Sequence, residues 1–211
     1  MPVTGNRFLF VAWKERYYSR RVLNSGPSPW SLRTARIEDI PALDLLIPIS
    51  VRGLQGPFYS EAQMEGAIGS TFGVDRQLIE DGTYFVAEVD GQIVGCGGWS
   101  RRKSICGSSA ARCAPDPEID PATDAPRIRA FFVHPDWARR GIGRAILLAC
   151  EEALRAAGFQ RAEIAATLSG ELLYASMGYQ TTEYFDLPLS NGLPLPCARM
   201  NKIFPAAIRN E

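Results

Sequence analysis

The sequence predicts an α/β (α+β) fold, in which one hairpin and one strand–loop–helix unit are the clearest features. Residues 83–100 form two alternating apolar runs joined by Asp90-Gly91, a pair that favours a type I′ hairpin turn. Residues 127–133 are apolar and aromatic, which predicts a strand. From Ile142 to Leu154 apolar residues recur mostly at spacings of three and four, which predicts a helix. A chain that contains both the alternation of strands and the three-to-four spacing of helices favours a fold in which helices pack on a sheet.

The remaining elements follow from the same patterns. The predicted strands cover residues 31–36, 83–89, 92–100, 127–133, 161–167, 180–187 and 196–203. The predicted helices cover residues 37–50, 60–68, 75–80, 141–157 and 169–178. Ser60 is the expected N-cap of its helix, and Gly158 the glycine that ends the longest one. Glycines at positions 95, 97 and 98 predict a β-bulge or a close backbone approach within their strand.

Three parts are expected along the chain. A turn-rich stretch at residues 24–29 separates an N-terminal extension, residues 1–29, from a globular domain, residues 30–205. We expect the extension to be peripheral or disordered, and residues 206–211 to form a tail. The long insertion at residues 101–126 is either a functional lid or a simple hairpin extension.

Composition favours a cytoplasmic protein without a metal. Of 211 residues, 46% are hydrophobic and 22% charged, as in an ordinary globular domain. The formal net charge is zero, so nothing argues for nucleic acid or an anionic membrane as partner. No stretch approaches the roughly 20 apolar residues of a membrane span. Five cysteines without a CxxC pair, and a single histidine, argue for reduced thiols and against a Cys/His metal site.

The loop between the strand at 127–133 and the following helix has the features of an anion cradle. A helix N-terminus offers unpaired N–H groups and the positive end of a dipole. Gly141 and Gly143 lack a Cβ, so an anion can approach the backbone closely. Arg139, Arg140 and Arg144 add positive charge. The loop therefore predicts a phosphate or pyrophosphate site.

Two common nucleotide motifs are excluded. No Lys-Ser/Thr pair follows the glycines, as a P-loop requires. Ile146 occupies the position of the third glycine of a Gly-x-Gly-x-x-Gly fingerprint. The alternative is that the loop binds nothing and is an ordinary glycine-containing turn between a strand and a helix.

The loop resembles the acyl-CoA loop of the GNAT superfamily of N-acetyltransferases. The family motif, Arg/Gln-x-x-Gly-x-Gly/Ala after a strand ending Val-x-Pro, corresponds here to Arg140-Gly-Ile-Gly-Arg-Ala145 after Val133-His-Pro135. The hairpin at 83–100 and the segment from Tyr174 to Tyr179 also resemble family segments. The resemblance implies a mixed, mostly antiparallel sheet of six to seven strands. That sheet would be splayed at the cofactor site and flanked by about four helices.

The resemblance also implies which residues form the site. Tyr174 would protonate the leaving thiolate of acetyl-CoA, the expected co-substrate, and Tyr179 would be a packing residue. The pantetheine arm would pair with the main chain of Phe131, Phe132 and Val133. A backbone N–H there would polarise the thioester carbonyl. The pyrophosphate would bind main-chain N–H groups at Arg139, Arg140, Gly141, Ile142, Gly143, Arg144 and Ala145.

Several roles stay open from the sequence. The general base is Glu88, His134 or Glu163, or a water chain replaces it. Arg127 and Arg129 either bind an acidic group on the acceptor or form ordinary ion pairs.

The sequence also leaves the role of Trp99 open, whereas it gives one interpretation for two of the cysteines. Trp99 either lines the acceptor pocket or packs in the core. Cys96 and Cys150 are interpreted as small apolar packing residues, and nothing supports a nucleophilic cysteine.

The predicted function is therefore acetyl-CoA-dependent N-acetylation, with direct transfer to an amine of a small molecule or a protein. One alternative is a non-catalytic acyl-CoA sensor on the same fold. Another is an acyltransferase that uses a longer acyl group. The resemblance also raises the expectation of a homodimer through the last strands.

Overall fold

The computed structural model describes residues 29–103 and 117–205. The expected extension up to residue 28, the centre of the insertion with Cys106 and Cys113, and the tail lie outside the described residues. Within the described part, the strands are β1 (Ser31–Thr34), β2 (Tyr84–Val89), β3 (Gln92–Ser100), β4 (Arg127–Val133), β5 (Arg161–Thr167), β6 (Gln180–Pro188) and β7 (Pro194–Ile203). The helices are α1 (Ile40–Gln55), α2 (Glu61–Ala67), α3 (Arg76–Glu80), α4 (Ile142–Ala156) and α5 (Glu171–Ser176).

The seven strands form one mixed sheet in the order β1-β2-β3-β4-β5-β7-β6. Every neighbouring pair is antiparallel except β4 and β5, which run parallel. In the described sheet, β4 and β5 pair only where Arg127 faces Glu163 and Ile128 faces Ile164. Beyond those residues the strands diverge and leave a gap. The predicted mostly antiparallel, splayed sheet is confirmed.

Helices cover both faces of the sheet. On one face, the α1 face, Leu43, Ile47 and Val51 of α1 belong to one core with Tyr84 and Phe132 of the sheet. On the opposite face, the α4 face, Ile142, Ile146 and Leu154 of α4 belong to a second core with Ile128 and Ile164. Burial of these apolar stripes is the main force that holds the helices on the sheet.

Helix α1 is longer than the sequence predicted. A 3₁₀ turn at Ile37–Asp39 precedes it, and it continues past Ser50 to Gln55. Pro48 lies inside the helix and does not end it. Proline costs helix stability, but Val51 and Gln55 continue the buried stripe and hold the last turns against the sheet.

The hairpin of β2 and β3 confirms two local predictions. Asp90 and Gly91 have φ angles of 49° and 79°, the positive values that a type I′ turn requires. The glycines of β3 mark the predicted close approach, beside a bulge whose extra residue lies in β4: Gly97 stands opposite both Ala130 and Phe131, and Ala130 has a φ of 58°. A Cβ on Gly97 would lie 2.6 Å from the Phe131 ring, so only glycine fits there.

Among the described residues, no helix combines the length and apolar character that crossing a membrane requires.

Candidate active site

A cavity of about 290 Å³ runs through the gap between β4 and β5. Gln55 and Phe72 line it from the α1 face, whereas Ile128, Ile164 and Tyr174 line it from the α4 face. Since its lining comes from both faces, the cavity connects one side of the sheet with the other. A substrate on the α1 face can therefore meet a group held against the α4 face.

Tyr174 lies on α5 at the α4-face end of this cavity. It is buried, and its ring meets the Phe131 ring edge to face, with centroids 5.9 Å apart. Burial raises the pKa of the Tyr174 hydroxyl well above its usual value, with the Cys150 thiol as a second cause. The phenol therefore stays protonated at neutral pH and can donate a proton, as the role predicted for it requires.

The bulge in β4 is held by a side chain that sequence reasoning missed. The hydroxyl of Tyr84, a fully buried residue, donates to the Ala130 carbonyl oxygen at 3.0 Å. In a trans peptide the C=O and N–H point in opposite directions. The N–H of Phe131, in the same peptide unit, is therefore turned away from Tyr84 and the core of the α1 face.

Only some of the β4 residues predicted to contact a ligand through the main chain can do so, because the backbone groups of alternate residues point to β3 and to the gap. The His134 N–H donates to Val94 of β3, and Phe132 pairs with Cys96 of β3, so these two residues face the ladder. Phe131 and Val133 face the gap instead. Phe132 contributes a buried ring rather than an open backbone edge.

Of the two β4 residues that face the gap, Val133 already uses its N–H in a hydrogen bond. The Val133 N–H donates to the hydroxyl oxygen of Ser50 on α1, with nitrogen and oxygen 3.0 Å apart. A ligand pairing with β4 would use the main chain of Phe131 and the carbonyl of Val133. Ser50 was not predicted, although a serine within the apolar stripe of α1 is a signal that could have found it.

The loop that joins β4 to α4, residues 134–141, is called the cradle loop here, and with the first turn of α4 it has the geometry of an anion site at a helix N-terminus. Gly141 is the N-cap of α4, with φ of 86°, and Arg139 also has a positive φ, 67°. The N–H groups of Ile142, Gly143 and Arg144 open the helix, so they have no acceptor within it. The Ala145 N–H already donates to the Gly141 carbonyl at 2.9 Å, which narrows the predicted set of free amides by one.

The arginine side chains around the loop are exposed. The Arg140 guanidinium lies 4.7 Å over the Trp137 ring, a cation–π contact that fixes it beside the loop. The indole N–H of Trp30 donates to the Arg140 carbonyl at 3.3 Å. Together with exposed Arg139 and Arg144, these contacts give the loop a positive surface around the helix N-terminus.

Of the three candidate bases, only Glu163 lines the cavity. Glu88 accepts a hydrogen bond from Arg33 at 2.6 Å on the outer part of the sheet. The Nδ1 atom of His134 accepts from the Asp136 N–H at 3.3 Å, so this imidazole caps the 3₁₀ turn after β4. The cavity itself therefore supports Glu163 or water as the proton acceptor.

Arg129, Trp99 and Cys96 have structural roles. Arg129 forms an ion pair with buried Asp75, its nitrogen 2.8 Å from the carboxylate, so the ordinary ion-pair interpretation holds for it. Trp99 is buried against Phe159 and is a core residue. Burial raises the pKa of the Cys96 thiol to about 12, which removes nucleophilic character at neutral pH.

Comparison with known proteins agrees with this geometry. Residues 80–181 match the family described as Acetyltransferase (GNAT) domain. The chain contains an acetyltransferase domain of the GNAT superfamily. It is therefore an acyltransferase, and the matched GNAT segment includes the hairpin, β4, the cradle loop and Tyr174.

Solved structures share this GNAT fold. The GCN5-related N-acetyltransferase from Rhodopseudomonas palustris superposes with a TM-score of 0.65 at 21% identity, covering 88% of this chain and 100% of its own. PaiA N-acetyltransferase from Thermoplasma acidophilum, in complex with coenzyme A, gives 0.57 at 14% identity, with 83% and 99% covered. YncA from Salmonella typhimurium, with its cofactor acetyl-CoA, gives 0.56 at 14% identity, with 87% and 98% covered. At these identities the likeness shows the fold.

The chain has no match among curated protein sequences. Within residues 29–103 and 117–205, no group of three or more His, Cys, Asp or Glu side chains could hold a metal ion.

Proposed function

We propose that this chain transfers the acetyl group of acetyl-CoA directly to an amine within the cavity between β4 and β5. One observation carries the proposal: the cavity joins the two faces of the sheet between the edge of β4 and the Tyr174 ring. The amine and the thioester could thus meet from opposite faces. The coenzyme A and acetyl-CoA held by PaiA and YncA support the same co-substrate here.

Each part of the site would have a separate task. The first N–H groups of α4, with the exposed arginines, would bind the pyrophosphate. The gap-facing main chain of Phe131 and Val133 would pair with the pantetheine arm as an added strand does. The Phe131 N–H would donate to the thioester oxygen and stabilise the negative charge that develops on it. Tyr174 would give its proton to the departing thiolate.

We further propose that no single side chain is essential for accepting the amine proton. Glu163 lies where β5 still pairs with β4, directly opposite Arg127. Phe131, where the thioester would bind, lies four residues further along β4 than Arg127. At about 3.3 Å per residue that separation is roughly 13 Å, so a carboxylate at position 163 would act through water.

The variants Glu88→Gln, His134→Ala and Glu163→Gln test that statement. Each is expected to keep kcat/KM within a few-fold of the wild type, measured by thiol release at several pH values. A general base contributes about 10²–10⁴-fold. A loss of that size in one variant would identify that residue as the base and contradict the proposal.

Thiol release in the presence of acetyl-CoA and amines tests the function itself. We expect release of coenzyme A to match the amount of acetylated amine found by mass spectrometry. A protein whose melting temperature rises with acetyl-CoA, and which turns over no amine, would be a non-catalytic acyl-CoA sensor. Faster release from butyryl-CoA than from acetyl-CoA would identify a longer acyl group as the natural one.

Three further expectations belong to this proposal. Residues 30–205 are proposed as the acetyltransferase domain, with residues 1–29 as a separate extension and 206–211 as a tail. The protein is proposed to act in the cytoplasm. A homodimer through β6 and β7 is the expected assembly, and a measured molar mass in solution decides it.

A further inference from the structure

One residue of the cavity lining carries a buried polar atom that has no hydrogen-bond partner among the described residues. Gln55, the last residue of α1, is 6% exposed and lines the cavity. Its side-chain oxygen Oε1 is buried and has no hydrogen-bond partner among the described residues. An unpaired buried acceptor costs free energy unless an occupant of the site donates to it. Trp99 and Tyr179 also carry unpaired polar atoms, but neither lines the cavity.

The main chain of Gln55 is firmly held. Its carbonyl accepts from the N–H groups of Phe58 and Tyr59 at 2.9 and 3.1 Å. The Tyr59 hydroxyl in turn donates to the Pro196 carbonyl at 2.7 Å and accepts from the Leu168 N–H at 2.8 Å. The turn after α1 is therefore tied to the ends of β5 and β7. A side chain on such a support needs little reorganisation to bind a ligand.

The α1-face side of the cavity is mainly apolar. Phe72, Phe132, Phe185 and Leu187 line it there. Such surface favours an apolar body on the ligand, because burying apolar area is the main gain on binding.

Charges around this side of the cavity are balanced. Arg129 is paired with Asp75 at 2.8 Å, and Arg199 with Glu183 at 3.0 Å. The third arginine of the lining, Arg127, stands opposite Glu163. The cavity therefore offers no surplus positive charge for a carboxylate or a phosphate. The carbonyl end of a helix dipole is negative, and Gln55 lies at that end of α1. Both features favour a ligand that donates hydrogen bonds or carries positive charge.

We propose that the α1-face side of the cavity binds a small primary amine with an apolar body, and that an N–H of this amine donates to Oε1 of Gln55. This inference rests on the proposed acetyl transfer. The amine enters as an ammonium ion and loses one proton to water, and its lone pair then forms the new N–C bond while the thioester C–S bond breaks. The thiolate takes the Tyr174 proton. The nitrogen releases its second proton to water, and water returns a proton to Tyr174. Gln55 transfers no proton; it holds a remaining N–H so that the lone pair faces the carbonyl.

The variant Gln55→Leu, assayed with 2-phenylethylamine as probe, tests this role. A lost hydrogen bond to an amine is expected to raise the KM for 2-phenylethylamine about tenfold or more. The KM for acetyl-CoA should not change. The melting temperature without ligand should be equal or higher, because leucine has a similar size and leaves no unpaired oxygen.

The matched control is Gln63→Leu. Gln63 is also an amide on the α1 face, but it lies outside the cavity lining, and its side chain is paired with Ser60 and with the Pro194 carbonyl. This control should lower the melting temperature and leave the KM for 2-phenylethylamine unchanged.

Four results separate this inference from the proposed function. An unchanged KM for 2-phenylethylamine in Gln55→Leu overturns the inference. A raised KM for acetyl-CoA alone also overturns it, since Gln55 would then hold the pantetheine arm. Preference of the wild type for glutamate or spermidine over 2-phenylethylamine overturns the ligand class. Absence of thiol release with every amine contradicts the proposed function instead. In that case calorimetry measures the binding of 2-phenylethylamine to the coenzyme A complexes of wild type and Gln55→Leu. Equal affinity for the two proteins overturns the inference about Gln55.

Discussion

The Gly143→Glu variant is expected to fold and to gain no thermal stability from acetyl-CoA. For the wild type, acetyl-CoA at one hundred times its Kd should add about 2.7 kcal/mol of stability by mass action. In a chain of this size that corresponds to a rise in melting temperature of roughly 5–10 °C. Thermal denaturation with increasing acetyl-CoA measures both proteins.

The physical reason lies in the first turn of α4. Gly143 is the second residue of the helix, so its N–H is one of the amides that the helix leaves free. A carboxylate at this position interacts favourably with the helix dipole. It would occupy the positive end of the helix that the pyrophosphate needs, and it would repel the pyrophosphate by charge.

The variant should remain folded. A Cβ on Gly143 would lie 3.0 Å from Cδ2 of Leu173, the movable end of a side chain, so a small shift accommodates it. Gly143→Ala is the matched control, because it adds the same Cβ without charge and improves helix propensity. It should keep most of the acetyl-CoA response.

Two outcomes would contradict the site assignment. A Gly143→Glu variant that acetyl-CoA stabilises as strongly as the wild type would show that the pyrophosphate does not bind at the start of α4. A wild type that acetyl-CoA does not stabilise would remove acetyl-CoA as the co-substrate, and the loop would be an ordinary turn.

Local patterns predicted the backbone around this site well. The observed bounds of β4 and β5 equal the predicted ones, because apolar alternation and flanking turn residues are properties of a few neighbouring positions. The close approach within β3 followed from its glycines, and at Gly97 a Cβ would collide with the Phe131 ring. The strand–loop–helix unit was predicted because a strand, a proline and two glycines stand in one short segment.

Pairings across the chain could not be predicted in the same way. The sequence left Arg129 with two roles, and the partner that decides between them, Asp75, lies far away along the chain. Gln55 was outside the predicted helix, which was expected to end at Ser50, so its place on the buried stripe was not visible. The base remained open because a cavity lining depends on how β5 and β7 meet α1.

The Tyr174→Phe variant is expected to lower kcat by about a hundredfold or more, the scale of a lost general acid, with little change in the KM for acetyl-CoA. The ring that packs on Phe131 is kept, so the fold and the shape of the cavity are retained. Tyr179→Phe is the matched control. Its ring lies 6.0 Å from that of Tyr174, but Tyr179 does not line the cavity, so kcat should stay near that of the wild type.

The pH dependence of kcat tests the role of the hydroxyl separately. An unperturbed tyrosine titrates near pH 10, and burial raises the pKa of Tyr174 further. A raised pKa means that the proton is retained, so kcat of the wild type should show no loss of its acid between about pH 6 and 9. The variant should have the same profile shape at a lower level.

A change of leaving group distinguishes proton donation from packing. A more acidic thiol leaves without protonation, so an acetyl thioester of such a thiol should narrow the difference between Tyr174→Phe and the wild type. A constant difference across leaving groups would mean that the hydroxyl positions the substrate and that water protonates the thiolate. An undiminished kcat in Tyr174→Phe would make Tyr174 a packing residue, and the proton would then reach the sulfur through the cavity from solvent.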